Sequence, residues 1–557
     1  MNINIKQISS LEKIRRTDAL PQYELTNKTV LAGERFSYQI CIRPDTNQDM
    51  GLLTRVSVES PIREHVQVYL VKDAVMDTPV TIDNPEPEDY ITLTPGFMPD
   101  ILVPIAEQNN TVTVSNVTRT LWIRVNVPKD GLSGQIPVTI RLELVNDKQT
   151  EPYHTFEKTM NLEILPEQMP EQKLIYTRWF YADCIATQHN VEIYSEAHWE
   201  LIDKYIAAAA DLGINMILVP VHTPPLDTAI GTRRPCVQLV DIEKNGDNYT
   251  FSFTRFTRFI NICKKNGIRY FEIAHMFSQW GAKCAPNIMV TENGKTDYLF
   301  GWDVSASSPA YVNFLKQYIA AISTQLEKEG ISENTYFHIS DEPNPNTLDT
   351  YQTASNLIRP LIGSSKTFDA LSNFTFYEKG LVECPVTSVT HVHEFLEHPI
   401  PNQWTYYCCN PQQVYTNGFM AMPSARTRIL GFLLYKYGIK GFLHWGYNFY
   451  NSCISWYPLN PYLSTSGDGA YPSGDPFIVY PAKDGIYHSI RGQVFHDGIQ
   501  DMTICLALEK YIGKQAVVAL IDQTAGMDLR FDSYPSGNAF LETLRDTITG
   551  LIKEYSA

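Results

Sequence analysis

The sequence predicts a multidomain β plus α/β protein: an N-terminal β-sandwich over residues 1–165, then a (β/α)8 TIM-type barrel with C-terminal helices over residues 172–557. Three observations carry this expectation. The first 165 residues hold short runs of alternating apolar and polar side chains, separated by turn formers and without helical periodicity. After the prolines at 166 and 170, short apolar strands alternate with amphipathic helices, as in a parallel barrel. With 557 residues, 44% of them hydrophobic, the chain is long enough to core two or three domains.

In the sandwich region the clearest strands are Phe36–Arg43, Val66–Val71, Thr120–Val127 and Ile136–Leu144, with Pro128-Lys129-Asp130-Gly131 as one of the intervening turns. No catalytic constellation occurs there, so a supporting or substrate-rim role is expected. Eight barrel strands follow, at Leu174–Phe180, Asn215–Val221, Tyr270–His275, Tyr336–Ser340, Phe368–Leu371, Ser388–His393, Gln403–Tyr407 and Gly441–Trp445. Helices are read between them, including one capped by Ser195 and ended by Gly213, and one from Pro309 to Glu329. The Gly/Pro/Tyr-rich run from Pro458 to Pro481 reads as a loop near the barrel mouth. A helix from Ile490 through Leu508 is expected to pack on the barrel, and 538–555 forms a terminal helix.

The net charge of −16 argues against nucleic acid or an anionic membrane as partner. No segment has the roughly 20 unbroken apolar residues of a membrane span, so no membrane insertion is expected. The start, Met1 to Lys6, lacks the features of a signal peptide, which predicts a cytoplasmic protein, or an exported one if a leader has been removed. Ten cysteines are scattered without a Cys-x-x-Cys pattern, and only Cys408 and Cys409 are neighbours. Buried thiols in a reducing cytoplasm are the expectation. The 32 Tyr and 8 Trp suit sugar binding and a large core equally well. Nothing in the sequence sets the oligomeric state.

The chemistry concentrates at Asp341 and Glu342. They end the apolar run Tyr336–Ser340, and Pro343 stops the strand because it cannot donate to a sheet ladder. Acids at the carboxyl end of a barrel strand are placed where such folds keep their catalysis; a solvated turn is the plainer reading. Two carboxylates point to glycoside hydrolysis, but the usual pair faces the scissile bond from opposite sides, roughly 5 to 9.5 Å apart. Adjacent residues fit a substrate-assisted scheme better. There the sugar's own 2-acetamido oxygen attacks the anomeric carbon, one carboxylate orients the acetamide N–H, and its neighbour protonates the leaving group. A conventional mechanism would draw its nucleophile from a later strand, with Glu394 and Glu397 as candidates.

Several segments resemble glycoside hydrolase family 123, the β-N-acetylgalactosaminidases, and the wider domain family of unassigned function with the same Asp-Glu-Pro signature. These are Pro99–Pro104, Trp179–Cys184, His338–Pro343, Gly474–Pro481, Ser489–Arg491 and Asp497–Asp501. The resemblance runs nearly end to end. It implies that Asp341 stabilises the acetamide and Glu342 is the general acid/base, that anomeric configuration is retained, and that no metal or cofactor takes part. The implied substrate is a glycan or glycolipid headgroup carrying terminal β-linked N-acetylgalactosamine.

Further substrate-binding candidates are His275, Trp280, His393, Trp404, Tyr406, Trp445, Tyr447 and Asn448. Trp445, Tyr447 and Asn448 follow a late strand and either line the pocket or pack the barrel. Trp404 and Tyr406 share a face of their strand and hence a destination. A tyrosine is expected to hold the acetamide oxygen, with Tyr406 and Tyr447 not separable from sequence. His275 ends strand three and either reaches a hydroxyl or sits in the core. Arg178 and Asp183 either bind sugar or form ion pairs. His391 and His393 alternate as if on one side of a strand, with His398 beyond, but no third metal ligand is spaced convincingly.

Overall fold

The computed structural model describes residues 3–44, 51–82, 87–145 and 151–556. The chain forms two compact units. One comprises Leu174–Gln412 and Tyr437–Ile486; the other comprises Met1–Lys173, Gln413–Lys436 and Tyr487–Ala557. This grouping differs from the division read from the sequence, because the helices Ile490–Ile512, Lys514–Ala525 and Ala539–Ser556 group with the N-terminal sheets. Among the described residues no helix is long and apolar enough to cross a membrane.

The unit containing the N-terminal residues is β-rich. One antiparallel sheet runs Ile3–Ser9, Arg35–Pro44, Arg119–Asn126, Val66–Met76 and Gly96–Pro104 in spatial order, and His488 and Ser489 pair with its last strand. A five-stranded sheet orders Asn27–Ala32, His154–Gln168, Gly134–Val145, Leu52–Glu59 and Thr111–Val114. Alternate residues of both sheets, among them Ile40, Leu121 and Ile123 from the first and Ile140, Leu162 and Val56 from the second, form one apolar core.

The other unit is built on a closed parallel barrel. Its strands are β1 (Ile175–Arg178), β2 (Met216–Val219), β3 (Tyr270–Ile273), β4 (Thr335–Phe337), β5 (Lys366–Leu371), β6 (Cys384–Ser388), β7 (Trp404–Tyr406) and β8 (Gly441–His444). Helices fall between successive strands, with Ser195 capping Glu196–Asp211 and Ser308 capping Pro309–Glu329; the short ones at Thr375–Glu378 and Val392–Leu396 were not read from the sequence. Seven strands lie where the sequence placed them. The sixth ends earlier: the His391 N–H bonds the Ser388 carbonyl at 2.9 Å, closing a turn that leads into the short helix Val392–Leu396. The alternating apolar pattern over 388–393 is therefore a strand end, a turn and a helix start.

Two features of the barrel interior decide what its mouth can hold. Lower down, Trp404 packs between Tyr336 and Phe368, at 5.8 and 5.5 Å between ring centroids, and lies flat against Gly441, its register partner on β8. A Cβ at Gly441 would sit 2.0 Å from Trp404 Cδ2. Higher up is a buried charge cluster. His338 faces Glu272 from Nε2 at 2.8 Å and Asp369 from Nδ1 at 3.0 Å. Carboxylates accept only, so a ring with one on each nitrogen is an imidazolium. Glu272 also accepts from Thr177 and from Trp179 Nε1 at 3.2 Å. Asp369 accepts from the Tyr351 hydroxyl at 2.6 Å and from the backbone N–H groups of Ile339 and Ser340 at 3.2 and 3.3 Å. Burial works against the charge on His338, but the bonds to Asp369 and Glu272 outweigh it and hold the ring's pKa up at about 9. Burial raises the Asp369 carboxyl, yet only its anion can take so many donors at once.

Two predictions follow from this packing. Gly441→Ala should lose about 1–3 kcal/mol or more of stability through overpacking against Trp404, read as a lowered thermal midpoint; an unchanged midpoint contradicts the packing. The His338 pKa lies above its unfolded value, so its share of stability is complete below about pH 6.5 and is lost as pH climbs to about 9, some 3 kcal/mol in all. Histidine-ring NMR should find one imidazolium that persists until pH nears 9. A ring neutral at pH 7.5 would overturn the assignment.

Candidate active site

A cavity of about 230 Å³ opens where the barrel strands end, lined by Trp179, Asp227, Gln279, Trp280, Asp341, Glu342, Tyr406, Leu443, Trp445 and Tyr471, with Cys408, Cys409, Cys453 and Ile454. A larger cavity of about 360 Å³ lies in the N-terminal sheets, but its acid, Asp73, is paired with Arg16 and has no second carboxylate beside it. The barrel-mouth cavity is the one onto which the adjacent acids Asp341 and Glu342 both open.

Its central feature is that both members of an adjacent acid pair face it. Consecutive residues of an extended chain point to opposite sides. Here the chain leaves β4, and the Ile339 and Ser340 amides are fixed by Asp369. Glu342 then adopts a left-handed backbone, φ 43°, held by its N–H on the Ala370 carbonyl at 3.1 Å. That conformation is uncommon for a residue with a side chain, costs about 1–3 kcal/mol and is found where function demands it. It breaks the alternation and brings both carboxyls to the cavity.

The two acids sit in different surroundings. Asp341 is buried and accepts from Gln279 Nε2 at 3.0 Å. Burial, and then the neighbouring Glu342, hold its carboxyl well above the usual range, with the Gln279 bond pulling the other way. Glu342 is exposed and accepts the Tyr406 hydroxyl on Oε1 at 2.7 Å. Burial pushes the Tyr406 phenol well up, and Glu342 adds to this, so the tyrosine stays a donor.

Of the other expected site residues, Trp280, Tyr406 and Trp445 line the cavity. Trp280 is exposed, with its N–H on the Asp341 carbonyl at 3.3 Å. Trp445 is fixed by Nε1 donating to Asp475 Oδ2 at 2.8 Å, and His444 Nε2 lies 3.2 Å from the same carboxylate. The remaining candidates lie elsewhere. Trp404 is in the lower barrel layer, two residues and one layer below Tyr406. Tyr447 stacks on Phe180 and donates to the Tyr205 carbonyl at 2.7 Å. Asn448 bonds both backbone groups of Tyr181, at 2.9 and 3.0 Å, and so anchors the segment after β1. His393 is on the short helix after β6, edge-on to Tyr437. His275 is buried, 3.8 Å from the parallel ring of His338; burial keeps it neutral, and neither ring nitrogen has a hydrogen-bond partner among the described residues.

The imidazoles of the His391 region do not converge: His391 is on the turn, and His398 stacks on Phe374. His275, His338 and Asp369 do lie close enough to hold a cation, but His338 presents N–H groups on both sides, so His275 alone offers an open nitrogen. Asp183 is a buried bidentate partner of Arg234, and Arg178 donates to the Gly446 carbonyl at 3.0 Å. Both are structural.

Asp227 and Gln279 were not foreseen. They come from loops after β2 and β3, where neither strand nor helix periodicity flags a side chain. Asp227 is half-buried with φ 47°, and its Oδ2 accepts the Tyr181 hydroxyl at 3.1 Å. Burial pushes its carboxyl up to about 6, while Arg234 and the Tyr181 bond pull it down. The family-like segments in the other unit are structural too: Arg491 clasps Asp100, both buried, and the half-buried Arg428 and the buried Arg545 both pair with the buried Asp501.

Comparison with known proteins agrees with this geometry. The family model for the glycoside hydrolase 123 catalytic domain matches residues 179–508. Among solved structures, the chain is similar to a family 123 glycoside hydrolase from Clostridium perfringens, analysed for glycolipid glycan hydrolysis. That match has 15% identity and a TM-score of 0.72, covering 99% of this chain and 98% of that one; it shows the fold. Matches to the N-terminal domain of PorA (8% identity, 29% of this chain and 99% of that one, TM-score 0.15) and to a PapD-like domain of human CEP192 (11%, 28% and 95%, 0.14) are too weak to carry an argument. No curated protein sequence matches. The matched family model spans more than half of the chain, and the chain belongs to glycoside hydrolase family 123.

Proposed function

We propose that this glycoside hydrolase is a retaining exo-enzyme that releases terminal β-linked N-acetylgalactosamine by substrate-assisted catalysis. The observation that carries the reading is the adjacent pair Asp341–Glu342, both turned into one cavity by the left-handed Glu342 backbone.

In this reading the acetamide N–H of the bound sugar donates to Asp341. In the empty site the Asp341 carboxyl holds its proton to unusually high pH. A donor at that oxygen, followed by the developing positive charge of the oxazolinium ion, favours the anion. Glu342, in its acid form, delivers its proton to the departing oxygen as the acetamide oxygen attacks C1. Glu342 afterwards takes a proton from the water that opens the oxazolinium ion from the same face, giving retention. Tyr406 fixes the Glu342 side chain, and Trp179, Trp280 and Trp445 supply flat apolar walls for the ring.

A conventional glycosidase with a later-strand nucleophile has less support. Glu394 and Glu397 are exposed, on or just after the short helix following β6, and neither lines the cavity. The cytoplasmic setting expected from the cysteine pattern, and a glycan or glycolipid headgroup as substrate, belong to the same proposal.

Glu342→Gln should lower kcat/KM about 10²- to 10⁴-fold on aryl glycosides with poor leaving groups and far less on those that need no protonation. Asp341→Asn should be impaired on both. These rates are to be compared on the β-N-acetylgalactosaminide, the β-N-acetylglucosaminide and the plain β-galactoside. Efficient turnover of the plain galactoside would defeat neighbouring-group participation.

A further inference from the structure

We infer that Asp227 is a specificity-determining residue that accepts a hydrogen bond from one of the two sugar hydroxyls that follow the acetamido group round the ring, at C3 or C4. The inference rests on the proposed function, because that reading places the acetamide at Asp341.

Four observations support it. Asp227 is the third carboxylate of the cavity, on the loop after β2. Only one of its oxygens is used within the protein: Oδ2 accepts the Tyr181 hydroxyl, while Oδ1 has no hydrogen-bond partner among the described residues. Its backbone is left-handed, and the strain is offset by two bonds from side chains, since its N–H donates to Gln279 Oε1 and its carbonyl accepts from Ser455 Oγ, each at 2.7 Å. Finally, the same Gln279 amide donates to Asp341 Oδ2 at 3.0 Å. One carboxamide therefore ties Asp341 to Asp227 and fixes their separation.

Chemistry sets what the open oxygen takes. A carboxylate held from behind by a phenol and presented to a partly dry cavity lacks a donor, and a sugar hydroxyl is one. With the acetamide on Asp341, the group one carboxamide further along the cavity meets the next positions round the pyranose ring. A hydroxyl left without its acceptor, or an acceptor without its hydroxyl, loses a charge-assisted bond. The competing role is nucleophile, since Asp227 lies in the cavity that Glu394 and Glu397 do not reach.

The test is a cycle between residue and substrate. Asp227→Asn suits the left-handed backbone, which asparagine tolerates, and its amide oxygen can still accept from Tyr181. Turnover of the aryl β-N-acetylgalactosaminide and its 3-deoxy, 4-deoxy and 6-deoxy forms is measured with both proteins. The wild type should lose about 10- to 150-fold in kcat/KM on removal of the 3- or the 4-hydroxyl, and in Asp227→Asn that loss should shrink to a few-fold. The 6-deoxy substrate serves as the uncoupled control. Calorimetry with N-acetylgalactosamine and its deoxy forms runs the same cycle without turnover.

An undiminished deoxy penalty in the variant overturns the inference, as does a wild type that binds none of these sugars. A collapse of kcat by 10⁴-fold or more, equal for parent and deoxy substrates, would make Asp227 the nucleophile instead. Failure of the proposed function is separately visible, as wild-type turnover of hexosides that lack the acetamide. On such a hexoside the same hydroxyl cycle still decides the role of Asp227.

Discussion

The barrel mouth depends on a positive charge buried between two negative ones. His338 lies between Glu272 and Asp369 with none of the three side chains open to water. Removing one partner from such a cluster costs about 3–5 kcal/mol, because it strands a buried charge. The cluster links β1, β3, β4 and β5 through Thr177, Glu272, His338 and Asp369. Asp369 also holds the two amides that precede the acid pair. The position of Asp341 is thus set from below, by charges that never touch a substrate.

Above that layer the cavity is assembled from strained backbone. Asp227, Trp280, Glu342 and Ile454 all line it with positive φ and none is glycine. Strain of this kind survives only where neighbours over-determine it. The compensating bonds are present: Glu342 on Ala370, Trp280 on Asp341, Asp227 on Gln279, and the Ile454 carbonyl on the Ala229 amide. Several loops are therefore locked to one another around the two acids. A rigid, partly dry site suits chemistry that relies on charge placed in advance of reaction.

Much of this was legible in the sequence, and the limits have physical causes. Seven barrel strands were readable because buried parallel strands are short apolar runs. Ser388–His393 misled because a turn and the start of a helix imitate strand alternation. Trp404 and Tyr406 do share a face, as their spacing required, but two residues along a barrel strand is one layer, which separates a core residue from a pocket residue. Tyr447 and Asn448 follow the right strand and are spent on Tyr205 and Tyr181, contacts distant in sequence. Asp227 and Gln279 could not be foreseen, since loop side chains obey no period. The pair Asp341–Glu342 was visible because a strand, two acids and a proline coincide; the backbone twist that turns both inward was not.

In the proposed mechanism the substrate's acetamide, placed by Asp341, is the nucleophile. Inhibition by the thiazoline derived from N-acetylgalactosamine tests it most directly, because that ring is a stable likeness of the oxazolinium ion. Inhibition should be competitive, far tighter than binding of the free sugar, and lost in Asp341→Ala. An enzyme that turns over its glycosides at full rate in saturating thiazoline would contradict it.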